Sequence, residues 1–198
     1  MKQSLLDKFM SRKGLSTSFW IIALIMVSVL IYYTANLQKE VPPIPQEVTA
    51  ESGEVLYTYD DVVAGKAYFQ QFDLTDWGSL LGMGAYMGPD FSTDFVHYRA
   101  TFLYDYYGME LYKKKNAQLT EVERGAVKEL VKQDFKKQTT LLESKTIYTK
   151  ASAAAYKENV KYLTKLLVEG DPERAWRGGV IKPEEAVKIA AFVDWAQL

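Results

Sequence analysis

Apolar positions along the chain fall into two regimes. From Leu15 to Ala35, "LSTSFWIIALIMVSVLIYYTA" runs without a charge, long enough to cross a hydrocarbon core of ~30 Å at 1.5 Å per residue. Everything after it is broken into amphipathic pieces. Thr58 is expected to cap a helix "YDDVVAGKAYFQQF", with Asp60 and Asp61 in the first turn. A longer helix is expected from Thr93 to Lys115, where Phe95, Tyr98, Phe102, Tyr106, Met109 and Tyr112 step by three and four.

Three further elements follow from cap and turn chemistry. Thr120 and Glu123 make a capping box for "EVERGAVKELVKQDFKK". "SKTIYTK" leans towards strand. Ser152 is expected to cap "AAAYKENVKYLTKLLVE", which Gly170 ends, and Pro183 suits the first position of "PEEAVKIAAFVDWAQL". "EVPPIPQEV" cannot be helical and reads as a connector. The expected organisation is a tail 1–14, an anchor 15–35, an extended linker 36–57 and a mainly α domain 58–198.

Flanking residues bear on the anchor. Lys2, Lys8, Arg12 and Lys13 precede it, with Asp7 the one acid, and Glu40, Glu47, Glu51 and Glu54 follow. The positive-inside rule then places the tail in the cytoplasm and the domain outside, on a single-pass chain. A cleavable signal peptide would carry an apolar core of only ~7–15 residues and end in small residues. Here the run is longer and ends near Tyr32 and Tyr33, so a retained anchor is the expectation.

Composition removes several chemistries. The chain has no cysteine, which excludes disulfides, thiolate metal sites and a c-type haem held through Cys-x-x-Cys-His. His97 is the one histidine, so no multi-histidine metal centre assembles within the chain. Acidic and basic side chains nearly cancel at 25 and 24, giving no bulk attraction to nucleic acid. No nucleophile triad, paired catalytic carboxylates or phosphate loop stands out.

The segment with chemical character is "LLGMGAYMGPDF". Gly82, Gly84 and Gly88 permit close backbone approach and Pro89 fixes the exit. Carbonyls between such glycines suit a hard cation or a cofactor edge, and an ordinary turn before a helix has the same spacing.

The run "GKAYFQQFDLTDWGSLLGMGAYMGPDFSTDFVH" resembles the extracytoplasmic segment of respiratory nitric oxide reductases. Their cytochrome c subunit carries Cys-x-x-Cys-His-Thr-Leu-Leu-Gly-x-Gly-Ala-Tyr-x-x-Pro-Asp/Glu. Leu74, Thr75, Asp76, Trp77 and Gly78 occupy the haem-attachment positions, and Ser79 to Gly82, Gly84–Ala85–Tyr86 and Pro89–Asp90 keep the frame. That combination is similar to the quinol-dependent enzymes, whose cytochrome c-like domain has lost its haem. There the stretch like "AAFVDWAQL" leads into the next membrane helix, whereas here Asp194 interrupts it.

The resemblance implies a degenerate cytochrome c-like fold without haem, on a membrane anchor, as the non-catalytic small subunit of a reductase that converts two NO to N2O. Its partner would be a large multi-helix subunit holding haem b, haem b3 and non-haem iron, with quinol as a donor through the complex. Calcium would lie at the subunit interface, with main-chain oxygens of Gly84 and Tyr86 as ligands. The vacated haem volume would be filled, with Trp77, Phe72, Phe91, Phe95, Tyr98 and Phe102 as candidates, although a plain aromatic core explains the same residues.

His97 falls off the aromatic stripe and is either an exposed polar residue or a hydrogen-bonding group at the subunit contact. Asp90 and Asp94 could serve a proton path or act only as helix-start acids. Lys113, Lys114 and Lys115 read as a helix end in solvent. Rival readings are a subunit of another haem-copper enzyme, such as an NO dismutase or oxygen reductase, or a membrane-tethered assembly module.

Overall fold

The computed structural model describes residues 11–40, 43–138 and 145–197. Most of the expected tail, residues 1–10, lies outside them, as do Ser144 and Leu198. The chain divides into two units, 1–42 and 43–198.

The first unit contains one helix, α1 (Arg12–Glu40). Its segment Arg12–Asn36 has a mean hydropathy of 2.2 and enough length to cross a membrane. Apolar side chains such as Phe19, Trp20, Leu24, Ile25 and Tyr33 are exposed all around it, the signature of a helix whose solvent is lipid or another protein. Ser18 and Ser28 return their hydroxyls to carbonyls four residues back, so neither presents an unpaired donor.

The second unit is mainly α with one small sheet. In chain order it comprises β1 (Glu47–Ala50), β2 (Val55–Thr58), α2 (Tyr59–Gln71), the one-turn α3 (Leu74–Trp77), α4 (Phe91–Tyr112) and α5 (Glu121–Gln138). It continues with β3 (Lys145–Tyr148), α6 (Lys150–Glu169) and α7 (Pro183–Ala196). Single 3-10 turns sit at Asn116–Gln118 and Pro172–Arg174.

The stretch expected as an extended linker, 36–57, divides differently. Residues 36–40 finish α1, and β1 and β2 form an antiparallel hairpin with a bulge at Val48/Thr49. On its other edge β1 pairs in parallel with β3, giving the order β2-β1-β3. Val48 is fully buried and Tyr57 nearly so. These strands belong to the core because alternate side chains can insert under the helices.

Cap chemistry explains most helix starts. Thr58 accepts from the Asp61 amide while Asp61 accepts from the Thr58 amide, closing a capping box on α2. Thr120 and Glu123 do the same on α5. Two expected starts shift. Asp90 caps α4, which ends at Tyr112 with Lys113 in the left-handed region. Thr149 caps α6 by accepting from the Ser152 amide, so Ser152 lies inside the helix and is fully buried.

The inward face of α4 also departs from the aromatic stripe. Phe91, Phe95, Arg99 and Leu103 are buried, whereas Tyr98 and Met109 are substantially exposed. Steps of four from Phe91 define the packed ridge. Two clusters result. The larger joins the sheet, α2, α6, α7 and the start of α4, and the smaller joins Leu103, Leu119, Val127, Val131, Ala151 and Ala155.

Helix α7 is the centre of the larger cluster, buried on every side from Ile189 to Asp194. Helix α2 lies against it closely because Gly65 has no side chain. A Cβ there would overlap the main-chain oxygen of Lys188, so any larger residue forces the two helices apart.

Within this apolar centre sits Asp194, 1% exposed. Its Oδ2 accepts from the hydroxyls of Tyr57 at 2.9 Å and Tyr148 at 2.6 Å. Its Oδ1 accepts from Gln197 Nε2 at 2.8 Å and lies 4.0 Å from the Arg99 guanidinium. Arg99 in turn donates to Ser152 Oγ at 3.3 Å and stacks over the rings of Phe135 and Tyr148. Burial, then the Asp194 charge, pushes both tyrosine hydroxyls well above their ordinary range, which keeps them protonated as donors.

Replacing Asp194 would strand the Arg99 guanidinium and two hydroxyls in the core. Asp194→Ala is expected to cost about 3–5 kcal/mol, and Asp194→Asn less, because an acceptor oxygen remains. Equilibrium denaturation of the detergent-solubilised chain checks this, and a loss from Asp194→Ala within about 0.5 kcal/mol, the scatter of surface changes, would sink it.

Candidate functional site

The Gly-rich segment is a loop pinched at its neck and open at its tip. The neck is backbone: Gly88 N donates to Trp77 O at 2.7 Å, Ser79 N to Pro89 O at 3.0 Å, and Phe91 N to Ser79 O at 2.9 Å. Gly88 is needed there because a Cβ would press into the Trp77 carbonyl and ring.

One carboxylate organises the turn between neck and tip. Asp90 Oδ2 accepts from Ser79 Oγ at 2.7 Å and from the Gly82 amide at 2.8 Å. Its Oδ1 accepts from Ser92 Oγ at 2.7 Å and from the Thr93 amide at 2.9 Å. Ser92 Oγ accepts from the Leu81 amide at 2.8 Å. Burial pushes the Asp90 carboxyl up, but the hydrogen bonds from Ser79, Ser92 and Thr93 outweigh it and hold the group well below the usual carboxylate range.

Beyond this anchor the chain turns outward. Leu81 takes φ 57°, and Gly84 takes φ 80° with nothing within 4 Å of where a Cβ would stand. Leu81, Met83, Tyr86 and Met87 are all exposed, Tyr86 completely. The tip therefore presents apolar side chains and backbone, with no ionised group between Ser79 and Pro89. Among the described residues no three His, Cys, Asp or Glu side chains converge as a metal site. A hard cation takes six to eight oxygens, so Gly84 and Tyr86 fit calcium only as contributors of main-chain oxygens to a site completed by another chain.

The remaining candidates separate. Asp94 accepts from Tyr162 Oη at 2.9 Å and pairs with Arg174 at 3.4 Å, while Arg174 also reaches Asp171. Burial, then the Asp94 hydrogen bond, raises the Tyr162 hydroxyl above its ordinary range. His97 is exposed, with its ring 5.9 Å from that of Tyr98. Asp90 and Asp94 spend their carboxylates on different donors, so the three do not form one relay. Lys113 caps α4 and Lys114 pairs with Glu123 at 2.8 Å, so that run is not wholly a solvated end.

The segment at the haem-attachment positions turns inward. Leu74 is fully buried, and Trp77 is half-buried with its ring 4.7 Å from Trp176 and 5.8 Å from Phe91. Trp77 Nε1 donates to Arg174 O at 2.7 Å. The six aromatic candidates do not line one pocket. Phe91 and Phe95 belong to the larger cluster, Phe102 flanks the smaller one, and Tyr98 lies at the surface with its ring 4.0 Å from that of Tyr162 and tilted to it by 33°. Ser92, Arg174 and Trp176 were missed in the sequence, as was the hydrogen-bonding role of Ser79, which was read only as part of the frame. The one signal was the Asp-x-Ser pattern at Asp90–Ser92, a common local acceptor–donor arrangement.

Two outcomes follow. Asp90 has a folded-state pKa below its unfolded value near 4, so its contribution is complete above ~pH 4 and fades as pH falls towards the folded value. Amide exchange at Gly82 and Thr93 should accelerate below ~pH 4, relative to the base-catalysed trend at core amides, and unchanged protection would refute the anchor. Trp77→Ala should lower stability by about 2–4 kcal/mol, somewhat under a fully buried tryptophan, and denaturation midpoints measure it.

Comparison with curated proteins returned no match. The family described as the NorB cytochrome c-like domain of nitric oxide reductase matches residues 45–198, a span that begins just ahead of β1 and takes in the whole sheet, the neck and loop, and α7. The chain belongs to this nitric oxide reductase family through its NorB-type cytochrome c-like domain.

Proposed function

We propose that this chain is the non-catalytic, membrane-anchored component of a quinol-dependent nitric oxide reductase that reduces two NO to N2O, and that its Gly-rich loop docks on the large haem-bearing partner. The carrying observation is the loop. A neck of backbone hydrogen bonds and the four-fold anchor at Asp90 hold out an apolar, uncharged tip. Monomeric surfaces seldom present several large apolar side chains together without a partner.

Calcium is part of the proposal. Main-chain oxygens of Gly84 and Tyr86 would be two of its ligands, and the partner chain would supply the rest. Haem b, haem b3 and non-haem iron would all reside in the partner, which carries out the redox chemistry. Without a cysteine this domain forms no thioether to a haem, which favours quinol over a cytochrome route. The basic flank before α1 and the acidic one after it support a cytoplasmic N-terminus and an external domain. Trp77 serves as a filler of the former haem side. Exposed His97, near the start of α4, would be the candidate for a proton path at the contact, since Asp90 and Asp94 are taken up by donors within the domain.

The test is purification of the complex from native membranes through a tag on this chain, followed by a reduced-minus-oxidised spectrum. Non-covalent b-type haem without c-type bands, with quinol-driven NO consumption, is the expected result. A preparation without haem would overturn the partnership. Calcium chelation should release the large subunit and readdition restore it, with Tyr86→Phe indistinguishable from wild type because the ligand is main chain. Indifference to chelation would remove calcium while leaving the partnership intact.

A further inference from the structure

Leu81 stands in a backbone conformation that its side chain makes costly. Among the described residues four that are not glycine take a positive φ: Asp73, Leu81, Lys113 and Ala175. Three of them sit at helix ends, Asp73 opening α3, Lys113 closing α4 and Ala175 closing the 3-10 turn after α6. Leu81, at φ 57°, borders no helix. Nearby turn positions are filled as sterics prefer, with Gly82 at φ 74° and Gly84 at φ 80°. A leucine in this left-handed region brings its Cβ against the following carbonyl oxygen, a clash that glycine escapes and asparagine tolerates.

Little inside the domain offsets that strain. The contacts that hold position 81 are backbone: its amide donates to Ser92 Oγ at 2.8 Å, and the Gly82 amide after it donates to Asp90 at 2.8 Å. Glycine or asparagine at 81 would keep both. The leucine side chain is 68% exposed, whereas Leu80 beside it packs against the larger core cluster. The fold therefore accounts for one leucine of the pair and not the other. Met83, Tyr86 and Met87 are exposed as well, but none takes a positive φ, so strain singles out Leu81.

Strain kept at an exposed position argues for a use outside the fold. We propose that the Leu81 side chain is a principal contact of the docking loop, seated in an apolar, uncharged pocket of the large haem-bearing subunit. The inference rests on the docking role proposed for the loop and names the residue that carries it. The character of the pocket follows from the tip. No ionised group lies between Ser79 and Pro89, so a charge opposite would be desolvated with nothing to pair with. Hydrogen bonds to Ser92 and Asp90 hold the backbone at 81 and 82, so less ordering remains to be done on contact.

Two substitutions separate backbone from side chain. Leu81→Asn accepts the left-handed backbone and removes the apolar surface, whereas Leu81→Met keeps that surface. Each full-length variant would carry one tag and be co-produced with the wild-type chain carrying another, so that both compete for the partner in the same membranes. Haem b recovered per chain through the Leu81→Asn tag is expected to be at least about tenfold lower than through the wild-type tag, the scale of desolvating one leucine. Leu81→Met should stay within about twofold of wild type. Thermal denaturation of the detergent-solubilised chains should give Leu81→Asn a midpoint at or above that of wild type, the opposite direction from binding. Equal recovery of haem b by Leu81→Asn overturns the inference and leaves the partnership standing. A lowered midpoint for Leu81→Asn overturns it by assigning the side chain to internal packing, and so does loss of haem b from Leu81→Met. No haem b with the wild-type chain overturns the docking role and this inference with it.

Discussion

A charged carboxylate at the centre of an apolar helix is the constraint around which the domain is arranged. Asp194 cannot be desolvated unless donors reach it, and no single neighbouring element carries enough. It draws Tyr57 from β2, Tyr148 from β3, Arg99 from α4 and Gln197 from its own helix end. Those positions are far apart in sequence, so satisfying one side chain fixes how the hairpin, the returning strand and α4 meet. Arg99 extends the effect, because Phe135 and Ser152 beside it belong to elements of the second core cluster. The two clusters are thereby joined through a polar contact that tolerates one geometry, where apolar surfaces alone would tolerate several.

The loop repeats this logic at the surface. Asp90 collects two hydroxyls and two amides, and the result is a rigid stem under an exposed apolar tip. A flexible stem would lose entropy each time the tip engaged a partner, and a stem anchored in advance does not. Both carboxylates act by gathering donors, Asp194 from side chains to close a core and Asp90 from hydroxyls and amides to hold a surface outward. The Asp94–Arg174–Tyr162 contact beside the loop adds a third tie, linking the start of α4 to the turn after α6.

How much of this could be read in the sequence depends on the range of the interaction. Caps at Thr58 and Thr120 and the proline start of α7 are contained within a few residues, and they were legible. So was the membrane-length run at Leu15–Ala35, since length and apolarity need no tertiary information. The β1–β2 hairpin was not, because short strands next to "PPIP" look like linker until β3 arrives to pair with them. The buried ridge of α4 was obscured by its own aromatics: Tyr98 and Met109 keep helical spacing yet face outward, while Arg99, an arginine by composition expected at the surface, faces in. Asp194 read as an interruption of an apolar stretch for the same reason. Its meaning lay in partners roughly 50 to 140 residues away, which periodicity cannot register.

The loop shows the complementary limit. Its glycines and its frame were visible, and they led to the family on their own, but the anchor was not, since neither Ser79 in the frame nor the Asp-x-Ser pattern at Asp90–Ser92 shows that both hydroxyls meet one carboxylate. The consequence is physical. In a domain whose chain offers no cysteine, Leu74 and Trp77 are turned into the protein, where they pack against core and Trp176, and the segment spends its binding capacity internally. What the domain still presents is the part that its own packing leaves unused: an apolar tip on an anchored stem. Under the proposed function, such a domain would contribute by position, its interior packing being complete and its recognition left to the exposed tip of the loop.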